Sequence, residues 1–263
     1  MTPRQEAIME HIVRCYIASG EPVSSLALAG DFGFAARSEQ GRATRDGRSG
    51  SFAVSKVEPP VVSPSTMLGI NRVEPLSSAM LRIEMATLED GGWLEQPYTS
   101  SGRIPTMKAM RWFAKTLLSE QSPRRITSKS PESTNDLTER VARSAKTATA
   151  FIAEPQHTVM WSGLHYLAVP EVSEQQLVGE CLTILEALAR RVEYLSDQIP
   201  QGAVLIYVGD ENPLVSQPHF SMLMSRIHPK NLEPGVLMLL GPLRMDYANA
   251  IGTLKGFLEV YHG

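Results

Sequence analysis

The sequence of 263 residues predicts an α+β protein in two parts: an N-terminal winged helix-turn-helix, then a second α+β body. Three observations carry this reading. Two helical stretches near the N-terminus are followed, from Leu76, by a third that ends at Gly91-Gly92. That third helix runs straight into a short ribbon rich in Thr, Ser, Gly and Arg. Beyond about Asn135, helical patterns are interspersed with apolar runs of strand length at antiparallel spacing.

Each element has a local cause. Thr2-Pro3-Arg4-Gln5 combines a capping threonine, a proline suited to the first turn and a glutamine that completes a capping box. Ile8, Ile12, Cys15 and Tyr16 share one face, and Gly20 stops the helix. A short helix is expected from about Ser24 to Ala29. Residues 35–75 then show no sustained period: Gly, Ser and Arg dominate up to Ser55, and Pro59, Pro60, Pro64 and Pro75 follow. Such a composition buries little apolar surface, which predicts a flexible insertion.

Helical order returns with Ser77 or Ser78 as cap and Leu81, Met85 and Leu88 as the inward stripe. Trp93–Glu95 and Arg103–Pro105 read as two strands with Pro97–Gly102 at their tip. Thr106 is placed as the cap of a further helix with Met110, Phe113, Leu117 and Leu118 apolar. The first part is thus assigned to residues 1–118, a polar linker to 119–134 and the second body to 135–263. In that body, helices are expected over Asn135–Ala150, from Ser173 through Leu195, and over Met245–Tyr261. Strands are expected near Phe151–Ala153 and Thr158–Ser162. Ala203–Val208 and Val236–Leu240, being continuously apolar, are expected to be central strands.

Charge and chemistry narrow the function. Residues 1–130 hold 16 Lys/Arg against 13 Asp/Glu, whereas residues 131–263 hold 9 against 15. A mildly basic module joined to an acidic body fits a part that contacts DNA. Cys15 and Cys181 lie far apart and outside any CxxC, which weighs against a disulfide framework or a cysteine-rich zinc site. The six histidines are scattered, and Pro155 breaks the helical spacing of Glu154 and His157. Metal-protease, nucleotide-loop and nucleophile-elbow motifs are missing. These points predict neither an enzyme nor a metal or cofactor. With no apolar run near the ~20 residues that span a bilayer, a cytoplasmic location and no membrane partner are expected.

Three blocks of sequence resemble one family, the HrcA heat-inducible transcription repressors. They are Thr2–Val23 (TPRQEAIMEHIVRCYIASGEPV), Leu76–Arg111 (LSSAMLRIEMATLEDGGWLEQPYTSSGRIPTMKAMR), and the pair Val208–Leu214 (VGDENPL) and Leu240–Tyr247 (LGPLRMDY). The resemblance implies a winged helix followed by a GAF-like domain, here reduced because the second body is short and the family's dimerising insertion is missing or trimmed. It also implies a homodimer that represses chaperone genes from an inverted-repeat operator called CIRCE, releases on heat stress and is assisted by the GroE chaperonin.

Candidate DNA-binding residues follow from the recognition-helix reading of Ser78–Asp90. Ser77 and Ser78 sit at its start, and Met80, Arg82 and Ile83 lie on or beside its outward face, with Arg82 suited to a guanine edge or a phosphate. Tyr98, Thr99, Ser100, Gly102 and Arg103 form the wing, where hydroxyls, amides and one charge suit phosphate oxygens. Lys108 and Arg111 are placed at the flanking backbone. The family pattern has Thr at Met80, Asn at Ile83 and His at Tyr98. An isoleucine forfeits the bidentate adenine bond of an asparagine and is left with a thymine methyl. A second reading therefore stands beside the first: a GAF-like sensory or interaction protein whose winged helix has lost specific DNA readout.

Overall fold

The computed structural model describes residues 1–31, 77–99, 101–126, 130–154, 158–168, 179–180, 183–184, 186–187, 198–212 and 219–261. The expected flexible insertion at 35–75 and most of the helix expected after Ser173 lie outside these residues. Chain order is α1 (Pro3–Ser19), α2 (Ser25–Asp31), α3 (Ser78–Asp90), β1 (Leu94–Glu95), β2 (Ile104–Pro105), α4 (Met107–Glu120), α5 (Thr134–Ala145), β3 (Ala148–Ala153), β4 (Thr158–Ser162), β5 (Leu205–Val208), β6 (Phe220–Ile227), β7 (Gly235–Pro242) and α6 (Tyr247–Tyr261). Mixed helix and sheet makes this an α+β chain.

Helix α1 begins with the expected capping box: the Gln5 amide donates to the Thr2 hydroxyl, and the Gln5 side chain accepts from the Thr2 amide at 3.0 Å. It ends at Gly20, whose φ of 74° places it in the left-handed region, so that its amide reaches back to the Tyr16 carbonyl at 2.8 Å. Ile8, Met9, Ile12 and Val13 bury one face of α1 against Leu28, Leu81, Met85, Leu88 and the inner face of α4.

Five antiparallel strands form the larger sheet in the order β4-β3-β7-β6-β5. Its pleat sorts side chains by parity. Leu237, Leu239, Leu223 and Phe151 face the helices α4, α5 and α6, while Val236, Met238, Leu240, Met222 and Met224 join Leu167, Ile184 and Ile199 on the other side. Both faces are covered, which is why β7 reads as an unbroken apolar run.

Several elements depart from the expectations. Helix α5 stops at Ala145, with Lys146 in the left-handed conformation, and Ala148–Ala150 belong to β3. The run Ala203–Val208 supplies the edge strand β5, not a central one, and its exposure alternates. Strand β6 has no expectation behind it. Its methionines lack branching at Cβ, and Ser221, Ser225 and Arg226 interrupt the apolar pattern. The two serines are nonetheless buried and bonded, Ser221 with the Tyr247 hydroxyl at 2.7 Å and Ser225 to the Ala203 carbonyl at 2.8 Å.

The stretch 119–134, expected as a polar linker, starts inside α4, which runs to Glu120. Residues after it lie along α6: the Arg124 amide donates to the Gly252 carbonyl at 2.8 Å, and Lys255 Nζ donates to the carbonyls of Leu118 and Gln121 at 2.7 and 2.9 Å. Among the described residues no helix is long and apolar enough to cross a membrane.

Tyr247 locks α6 to the sheet. It is fully buried, its hydroxyl donates to the Leu243 carbonyl at 2.8 Å, and its ring meets Phe113 edge-on at 6.3 Å. Burial pushes its pKa well above the ordinary value of 10, and the Ser221 hydrogen bond only partly opposes this. Because the folded value is raised, its contribution to stability is complete below about pH 10 and is lost as pH rises beyond that. Thermal melts between pH 7 and 11 are expected to show a steep alkaline fall that Tyr247→Phe flattens. At neutral pH the same variant loses about 1–2 kcal/mol, since Ser221 and the Leu243 carbonyl lose a partner.

Candidate nucleic-acid interface

Helix α3 presents the candidate surface. Ser77 caps it by accepting from the Met80 amide at 3.2 Å, so this hydroxyl is committed to the helix end. Leu81, Met85 and Leu88 are fully inward, as their spacing predicts. The opposite side carries Ala79, Met80, Arg82, Ile83 and Thr87 exposed and Ser78 and Ala86 half-buried. Arg82 donates through Nε to the Ser25 hydroxyl at 3.3 Å, which ties α3 to the first turn of α2.

Two of the three carboxylates on α3 are paired with neighbouring elements, and the third, Asp90, is exposed at its last residue. Glu84 accepts from Gln5 Nε2 at 3.1 Å and lies 3.8 Å from Arg4 of α1. Glu89 accepts from Arg103 Nε at 2.9 Å. Arg82 is consequently the one charged side chain between Ala79 and Ile83, and its surroundings favour an anion.

Beside α3, β1 and β2 pair antiparallel with Leu94 opposite Pro105 and Glu95 opposite Ile104. Arg103 does not extend this pairing. It bridges to Val23 through two backbone bonds of 2.9 Å, so the chain after α1 forms a third member of the ribbon. Gly102 makes that approach possible, because a Cβ there would lie 2.5 Å from the Val23 carbonyl carbon and oxygen.

At the tip, Ser101 holds the turn by bonding both the amide and the carbonyl of Tyr98, and Gln96 Nε2 donates to the carbonyls of Thr99 and Ser101 at 3.0 Å each. Tyr98 and Thr99 stand exposed on this braced turn. Ser100 lies outside the described residues. Thr106, expected as a side-chain cap of α4, instead donates to the carbonyls of Gly92 and Trp93, tying the start of α4 to the end of α3.

Two candidates are placed elsewhere. Lys108 donates to the Gly91 carbonyl at 2.8 Å and sits 4.1 Å over the Trp93 ring, where it caps the end of α3. Arg111 points toward the second body. It donates to the Val208 carbonyl at 3.3 Å, pairs with Asp210 and lies 3.6 Å from Glu211, which Lys115 also holds at 3.0 Å. Neither contact set leads to the outward face of α3. The spacing of α4 places Arg111 one residue from the buried Met110 but does not reveal which neighbour it meets, since Asp210 is 99 residues away in sequence.

Sequence reasoning also missed a contributor. Leu26 on α2 is 75% exposed beside Ser25, and only the Arg82–Ser25 bond assigns it to this surface. The RMDY phrase likewise had no role at this end of the molecule. Arg244 packs its guanidinium 5.6 Å from the Tyr16 ring and reaches the Tyr16 carbonyl at the end of α1.

The architecture therefore defines a class: an α+β protein whose N-terminal helices and ribbon expose one helix face and are tied by ion pairs to a five-stranded body. The model of the HrcA protein C-terminal domain matches residues 107–251, more than half of the chain, and the chain belongs to the HrcA family. A relative from Halalkalibacterium halodurans called heat-inducible transcription repressor HrcA is 28% identical over 246 residues, covering 91% of this chain and 52% of the relative. One of the same name from Bifidobacterium adolescentis is 34% identical over 146 residues, covering 52% of this chain and 38% of the relative. The chain thus spans about half or less of the length of these relatives. A crystal structure of a protein described only as hypothetical shares the fold, with a TM-score of 0.64 at 15% identity over 99% of this chain and 96% of that one.

Three substitutions check this geometry. Gly102→Ala is expected to push the ribbon off Val23 and to cost about 1–3 kcal/mol in chemical denaturation, as overpacking does. Arg111→Ala is expected to cost about 1 kcal/mol, and Asp210→Asn less because that carboxylate is solvent-screened. Both losses should shrink in high salt.

Proposed function

We propose that this chain is a heat-inducible transcriptional repressor that binds double-stranded DNA as a homodimer. In this reading the N-terminal helices and ribbon are a winged helix-turn-helix spanning 1–118, α3 is the recognition helix in the major groove, and the tip at Tyr98 and Thr99 touches the sugar-phosphate backbone. The five-stranded body is a GAF-like dimerisation and regulatory unit that sets two recognition helices at half-site spacing on a CIRCE-type inverted repeat. Chaperone genes are the targets, and the GroE chaperonin is a partner of the same reading. Membership of the HrcA family and the names of the relatives support the repressor role.

The single observation that carries the proposal is the outward side of α3. Arg82 is its exposed cation, Glu84 and Glu89 are paired with Arg4 and Arg103, and a braced ribbon stands beside it. Arg103 acts here by holding the ribbon on Glu89 and Val23, which fixes where the tip reaches. Ser78 and Ala79 lie at the helix start, where backbone amides favour phosphate.

Ile83 at 62% exposure and Met80 at 41% favour the second reading, in which specific hydrogen-bonded readout is lost. A gel-shift titration separates the two, with an inverted-repeat operator against scrambled DNA over a salt series. The repressor reading expects operator preference on top of a steep salt dependence, whereas equal binding to both duplexes supports the second. Arg82→Ala is expected to weaken operator binding by about 1–3 kcal/mol. Arg103→Ala is expected to weaken operator and scrambled DNA alike. Unchanged affinity in both variants would remove this face from the interface.

A further inference from the structure

Six large hydrophobic side chains are exposed among the described residues, and three of them, Leu26, Met80 and Ile83, belong to the α2–α3 pair. Their exposures are 75%, 41% and 62%. The two helices pack against each other, and the Arg82–Ser25 bond joins the turn that carries Met80 and Ile83 to the turn that carries Leu26.

The surface is therefore apolar around one fixed guanidinium. Around Leu26, Met80, Arg82 and Ile83 it offers no free side-chain amide or carboxylate for a base edge among the described residues, because Glu84 and Glu89 are engaged with α1 and the ribbon and the exposed Asp90 lies at the far end of α3. Cationic character suits a polyanion, and apolar character suits the one apolar feature of the major groove, the C5 methyl group of thymine.

Resting on the DNA-binding reading above, we infer that Leu26, Met80 and Ile83 read thymine methyl groups, so that this chain selects thymine-rich major grooves by apolar contact. Arg82 anchors the helix to phosphate or to a guanine edge, and the apolar side chains discriminate beside it. Removing one methyl from such a contact lowers affinity about threefold to fourfold.

Two duplexes of equal length, alternating dA-dT and alternating dA-dU, differ only in that methyl group. The full chain, titrated against each at low salt, is expected to favour the thymine duplex by about tenfold, as two or more methyl contacts require. Ile83→Asn and, separately, Leu26→Ser are expected to keep binding both duplexes and to bring the ratio toward one. Both side chains are exposed, so circular dichroism melts should match the parent chain.

Equal affinity of the parent chain for the two duplexes overturns the inference and leaves the DNA-binding reading standing. Binding to neither overturns both. An unaltered ratio in the variants, together with a change in sedimentation, assigns the patch to contact between copies of the chain and overturns the inference as well.

Discussion

The structure depends on how α4 is held. Its apolar stripe, with Met110, Phe113, Ala114 and Leu117 buried, lies between the N-terminal helices and the five-stranded body. Phe113 meets Tyr247 of the last helix on one side and the Arg14 guanidinium, at 5.3 Å, on another. A helix shared in this way cannot rotate without opening apolar surface on both sides. One contiguous core runs from Ile8 through Leu81 and Phe113 to Tyr247 and Leu254.

Around that core the polar contacts give the joint a fixed orientation. Arg111 and Lys115 meet Asp210 and Glu211, and Arg244 meets Tyr16 at the end of α1. Each exposed ion pair adds little on its own. Their geometry matters more, since they surround α4 on the side of β5 and settle which face of it turns toward the body. The outward face of α3 is in consequence held at a set angle to the sheet. The homodimer proposed above, with two such faces at one helical-repeat spacing, would need this constraint.

Local signals were legible wherever a residue acts on its own neighbours. The capping box at Thr2, the left-handed stop at Gly20, the stripe of Leu81, Met85 and Leu88, and the strand at Thr158–Ser162 all follow from short-range sterics and periodicity. Strand β6 was not legible because unbranched methionines and bonded serines fill it, and its place depends on partners in two other strands, 8 to 22 residues away. The edge position of β5 was not legible either: an apolar run shows that a strand is covered, and here α4 covers it without a second neighbouring strand.

By itself the sequence determined α1, α3 and α4, with their starts and inward stripes, because these follow from backbone periods within one element. It also determined that Met80 and Ile83 stand on the outward side of α3. Only the tertiary structure decided what the charged groups do. Lys108 went to the end of α3, Arg111 to the body, Arg103 to Glu89 and Val23, and Leu26 came to lie beside Arg82's partner Ser25. A long cationic side chain takes whichever acceptor the fold brings within reach, and that choice is made by packing between elements distant in sequence.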